Sequence, residues 1–165
     1  YPTRHGSLTK MVDILEKRVN EILEVTQTRQ IDIVAHSLGG IISRYFMSVG
    51  AGRGKVKHLI TLGTPHQGTP MSGFLSGLFL GGLETDLRRD SYLIRLLNET
   101  ALPRGSRLTS ISSPYDFVSW PGDNCLVEGL PRAAIRNVEI RSVGHLGLLY
   151  SEPATSSVMA AITRT

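Results

Sequence analysis

Apolar residues recur along this chain in two rhythms. From Ser7 to about Thr26 the residues Leu8, Met11, Val12, Leu15, Val19, Ile22 and Leu23 stand three and four apart, which predicts an amphipathic helix capped by Ser7. Short apolar runs follow at Ile31 to Ala35, Val56 to Leu62, Arg107 to Ile111 and Val138 to Ser142, and these read as strands. Ile41-Ile42-Ser43-Arg44-Tyr45-Phe46-Met47 predicts a buried helix. A shorter helix is expected from Asp90 or Ser91 to Asn98 with Leu93, Leu96 and Leu97 inward, and Pro153 opens a last one with Val158, Met159 and Ile162 on one face. Strands separated by helical or long connections pair in parallel. The predicted fold class is therefore α/β, four parallel strands flanked by helices, with the first helix covering the sheet.

The least regular stretch runs from Thr69 to Arg107, and an insertion over about 70–106 is expected there. Met71 to Leu83 is apolar yet carries four glycines, too many for a stable core helix. It reads either as a mobile cover over an apolar substrate site or as an ordinary buried insertion.

Chemistry enters at Asp32-Ile33-Val34-Ala35-His36-Ser37-Leu38-Gly39-Gly40, where a strand meets a helix through a turn with small residues on both sides of one serine. A side chain thrust out of so sharp a turn sits in a strained backbone conformation, tolerable when the residues two before and two after are small. Ala35 and Gly39 are. The helix beginning near Leu38 aims free N–H groups and its positive dipole end at Ser37, so negative charge developing there is stabilised. The pattern fits acyl transfer with Ser37 as nucleophile and the Leu38 N–H as an oxyanion donor. The competing reading is a glycine-bearing turn before a core helix.

A serine hydroxyl needs a histidine to take its proton, and that histidine needs an acid to fix its tautomer. In a parallel sheet both belong just past the C-terminal ends of strands. Asp116 follows the third predicted strand and His145 the fourth, giving the chain order Ser37, Asp116, His145 expected of an α/β-hydrolase. His66 also follows a strand end and stays open as an alternative base. His36 adjoins the serine and cannot fold back onto it, so it reads as a wall of the turn; His58 lies within a strand pattern and His5 in a polar lead. Asp123 and Glu128 are rival acids, in or just past a turn where carboxylates commonly serve the backbone. His36, His66, Phe74 and Leu75 are the expected substrate contacts.

Composition narrows the partners. With 165 residues, 41% of them hydrophobic, the chain can bury a single core, and it contains no run of eighteen apolar residues. The net charge of +4 comes from 18 basic and 14 acidic residues that are scattered, which argues against nucleic acid as a partner. A single cysteine, Cys125, allows no internal disulfide and no cysteine-based metal site. No cluster of acidic ligands predicts a metal.

Ala35-His36-Ser37-Leu38-Gly39-Gly40, Leu62-Gly63-Thr64-Pro65-His66-Gln67-Gly68-Thr69 and Val143-Gly144-His145-Leu146-Gly147-Leu148-Leu149-Tyr150-Ser151 together resemble the bacterial triacylglycerol lipases of the α/β-hydrolase superfamily, particularly the lipase class 2 group. The likeness runs from about Ile31 to the C-terminus, with three motifs in the family's order. It implies hydrolysis of carboxylic esters, commonly acylglycerols, by Ser37, Asp116 and His145 without an organic cofactor. It also implies a lipid or other ester as substrate, transient contact with a lipid interface, and favours a secreted protein.

The chain departs from that family before the serine. Members carry an apolar strand ending in a His-Gly pair that introduces a second oxyanion donor; here His5-Gly6 has nothing apolar before it and lies too close to Ser37. The expectation is the C-terminal portion of a larger hydrolase, its N-terminal strands missing and the Ile31 strand left without a neighbour on one side. Acyl transfer to an alcohol, polyester or amide hydrolysis, and a catalytically inert fragment remain alternatives, because fold and triad recur across chemistries.

Overall fold

The computed structural model describes residues 6–70 and 87–163. Four strands form one parallel sheet: β1 (Ile31–His36), β2 (Val56–Leu62), β3 (Arg107–Ser112) and β4 (Ile135–Glu139), lying side by side in chain order. Among the described residues the α-helices are α1 (Gly6–Thr26), α2 (Leu38–Ser48), α3 (Tyr92–Glu99) and α4 (Glu152–Thr163).

Two apolar layers sandwich the sheet. On one face Leu8, Val12 and Val19 of α1, Ile41, Phe46 and Met47 of α2 and Leu93, Ile94 and Leu97 of α3 bury against Leu59 and Leu108. On the other, Ala154 and Ala161 of α4 pack with Ile60, Leu62 and Ile111. Adjacent residues such as Leu59 and Ile60 thus enter opposite layers, as strand geometry requires. Ser91 caps α3, its side chain accepting the Ile94 N–H, and Leu87 lies fully buried in the α1–α2–α3 layer.

Some details differ from expectation. α1 is described from Gly6, which places Ser7 within its first turn. Burial along β1 alternates: Ile31 and Ile33 are half-buried while Asp32 and Val34 are exposed. The cause is the layering, because Ile31, Ile33 and Ala35 face the α1–α2–α3 layer whereas α4 lies across β2 and β3. Among the described residues β1 pairs with β2 alone. The fourth strand starts at Ile135, three residues before the expected Val138. Asn137 is accommodated there because its side chain exchanges hydrogen bonds with the backbone of Val127, at 3.1 and 3.3 Å.

Candidate active site

The turn from β1 into α2 is strained at one residue. Ser37 has φ 53° and ψ −127°, in the left-handed half of conformational space that non-glycine residues avoid. Three hydrogen bonds hold it there. Its N–H donates to the Leu62 carbonyl at the end of β2 (2.9 Å), and its own carbonyl accepts from the Thr64 hydroxyl (2.8 Å) and the Gly40 N–H (3.0 Å). The steric demand falls elsewhere than on the residue singled out by the motif. A Cβ on Gly39 would meet Ala35 Cβ at an ordinary 3.8 Å, whereas one on Gly40 would lie 2.1 Å from Thr64 Oγ1. Leu38 is the first residue of α2, where backbone N–H groups have no partner within the helix.

Beyond the ends of β3 and β4, Asp116 and His145 meet. Asp116 is fully buried; its Oδ1 accepts the Val118 and Ser119 N–H groups at 3.0 and 3.1 Å, and its Oδ2 lies 2.7 Å from His145 Nδ1. An ionised carboxylate can only accept, so the proton of this contact belongs to His145 Nδ1 and the Nε2 lone pair is left for another partner. Asp123 and Glu128, the rival acids, are exposed.

His36, half-buried at the end of β1, reaches the same place. Its Nε2 lies 3.1 Å from the His145 carbonyl oxygen, and the two rings are 4.4 Å apart at an angle of 48°. Burial lowers the proton affinity of His36, outweighing the hydrogen bond to the His145 carbonyl, which raises it. Its contact is thus with His145.

His66, expected as a substrate contact and open as an alternative base, turns into the core. It is fully buried, with Nδ1 3.3 Å from Arg44 Nη1 and Nε2 2.9 Å from Thr61 Oγ1. Arg44 can only donate, so His66 carries its proton on Nε2 and gives it to Thr61. Burial, with the neighbouring Arg44 cation, pushes its pKa well below the ordinary value. Arg44 is itself buried and binds Asn98 Oδ1 (3.0 Å) and the Leu97 carbonyl (2.9 Å), and burial lowers its pKa to about 10. Phe74 and Leu75, with the whole stretch from Met71 to Leu83, lie outside the described residues.

Three residues of this neighbourhood escaped the reading of the chain. Thr64 clasps the turn, Arg44 holds His66, and Gly63 gives up the space that the Asp116–His145 pair occupies. Gly63 and Thr64 directly follow a strand end, a signal that was present. Arg44 looked like one polar position on an apolar helix. Around the pair, Tyr115, Phe117 and Trp120 on the Asp116 loop and Leu146, Leu149 and Tyr150 beside His145 are all exposed, Phe117 at 76% and Tyr150 at 82%.

A parallel sheet layered by helices, with a serine on a strand-to-helix elbow, is the architecture of the α/β-hydrolases, and the fold of this chain is theirs. Residues 3–80 match the family model described as the PGAP1-like alpha/beta domain; that span contains Ser37 but neither Asp116 nor His145. Among solved structures, the chain is similar to the lipase BlEst2 of Bacillus licheniformis in its mature form (TM-score 0.67, 16% identity, 90% of this chain and 71% of that one). It is similar also to a monoacylglycerol lipase of Paleococcus ferrophilus (0.64, 14%, 94% and 74%) and to a gene product of Listeria innocua (0.65, 14%, 96% and 67%). At such identities the likeness is one of fold.

Proposed function

We propose that this chain hydrolyses carboxylic esters, acylglycerols among them, through an acyl-enzyme on Ser37. The reading rests above all on the 2.7 Å contact between His145 Nδ1 and Asp116 Oδ2, together with the strained conformation of Ser37 at the start of α2. It is supported by the likeness of fold to lipases, which by itself admits other chemistries. In the first step Ser37 Oγ attacks the ester carbonyl while His145 Nε2 takes its proton, and the tetrahedral oxyanion is stabilised by the Leu38 N–H at the N-terminus of α2. The carbon–oxygen bond to the alcohol then breaks, and the alcohol leaves with the proton from His145. Water attacks the acyl-enzyme with His145 again as base, releasing the acid and restoring Ser37. Asp116 keeps the His145 proton on Nδ1 and stabilises the imidazolium that forms in each step. The exposed aromatic and leucine side chains on the two loops suit an apolar acyl chain.

The test is Ser37→Ala against p-nitrophenyl butyrate, with labelling of the unsubstituted chain by a serine-directed phosphonate. Loss of turnover and of labelling at an unchanged thermal midpoint is expected. Equal turnover by the variant would remove Ser37 from the reaction.

A further inference from the structure

We propose that His36 is a positioning residue for the base: its Nε2–H holds the His145 backbone carbonyl while its ring backs the His145 imidazole, so that nucleophile and base are tied through one residue. The inference rests on the acyl-transfer reading above and assigns His36 a role other than contact with substrate.

The need for such a tie follows from the topology. Ser37 follows β1, at one edge of the sheet, and His145 follows β4, at the other. Three strand spacings separate those edges, about 14 Å at the usual 4.8 Å each, so the base is delivered across the sheet by a loop. Asp116, which follows β3, holds one end of the imidazole through Nδ1. A single hydrogen bond leaves the ring free to pivot about it, swinging Nε2 away from the serine.

His36 supplies the two restraints that this pivot lacks. Its Nε2 is 3.1 Å from the His145 carbonyl, and because a carbonyl has no proton to give, His36 must be the donor. The hydrogen bond therefore keeps a proton on Nε2, and burial, which lowers the proton affinity of His36, leaves Nδ1 bare. Ring contact at 4.4 Å and 48° then limits rotation of the imidazole itself. Since His36 directly precedes Ser37 in the chain, both restraints are referred to the strained turn that carries the hydroxyl. Neutrality matters as well, because His145 becomes a cation in each step of the proposed reaction and a charged His36 would face it in ring contact.

The experiment compares His36→Phe, which keeps a ring and loses the donor, with His36→Gln, whose amide N–H reaches the same carbonyl. For a soluble short-chain ester, kcat of His36→Phe is expected to fall about tenfold to a hundredfold with KM and the thermal midpoint unchanged, and His36→Gln to recover most of the loss. The His145 Nδ1 proton, read as a downfield NMR signal, is expected to broaden in His36→Phe and to remain sharp in His36→Gln. Unaltered kcat and an unaltered signal in His36→Phe would overturn the proposal, as would a fall confined to KM. The unsubstituted chain gives a test without substitution: nitrogen-15 spectra must show His36 as the Nε2–H tautomer, and an Nδ1–H tautomer refutes the tie. Absence of ester turnover by the unsubstituted chain would instead sink the hydrolase reading, while the spectra still decide the role of His36.

Discussion

Gly63 packs against Asp116 so closely that a Cβ on it would stand 2.7 Å from Oδ2, and 3.0 Å from His145 Nδ1. Its φ of +56° adds a second demand that a side chain meets only with strain. Gly63→Ala is therefore expected to push the Asp116–His145 pair apart, lowering ester turnover at least tenfold with a loss of about 1–2 kcal/mol in stability. Steady-state kinetics and urea denaturation check it, and full activity would mean that the pair can shift without consequence.

Asp116→Asn separates charge from fold. The Oδ1 position must still accept the Val118 and Ser119 N–H groups, so the amide nitrogen takes the place of Oδ2 and faces His145 with a donor. His145 must then move its proton to Nε2 and lose the lone pair that would serve Ser37. A fall in kcat of about 10⁴ is expected with folding intact, by analogy with the same exchange in serine proteases. A fall of less than tenfold would argue against Asp116 as the acid.

The buried His66 makes stability depend on pH. Its folded-state pKa lies well below the ordinary 6.5, so below that value the unfolded chain binds a proton that the folded chain refuses. Stability is fully present above about pH 6.5 and is lost as pH falls toward the folded-state pKa, by at most about 1.4 kcal/mol per pH unit for this residue. His36 and His58, also lowered chiefly by burial, act in the same direction. Denaturation between pH 7.5 and pH 5 should show the decline, with a shallower slope in His66→Gln. Equal slopes in the two proteins would remove His66 as a source.

Phe117 and Trp120, exposed on the loop that carries Asp116, are expected to matter in proportion to substrate length. The double variant Phe117→Ser, Trp120→Ser should lower kcat/KM several-fold for long-chain p-nitrophenyl esters and leave the butyrate nearly unchanged, because apolar contact grows with each methylene. An equal fall on both substrates would place these residues outside acyl-chain recognition.

Most elements were legible because their signals are local. The spacing of Leu8, Val12 and Val19 fixed α1, and the apolar run of β2 matched its observed bounds from Val56 to Leu62. β4 begins three residues before its expected start because Arg136 and Asn137 are exposed, so its first half carries no apolar run to mark it. The apolar run of β1 does not reveal which of its faces is covered, because hydrophobicity states what a strand tolerates whereas coverage depends on where α4 lies.

By itself the sequence determined the α/β order, the strand-to-helix turn at Ser37, and an acid and a histidine each following a strand. Periodicity and small-residue spacing are properties of neighbouring positions, so one chain read end to end contains them. Tertiary structure alone decided that His66 turns inward to Arg44 and Thr61, that Asp116 and not Asp123 meets His145, and that His36 lies against His145. Those pairings join residues as far as 109 positions apart, and they are set by which strand ends converge once both faces of the sheet are packed.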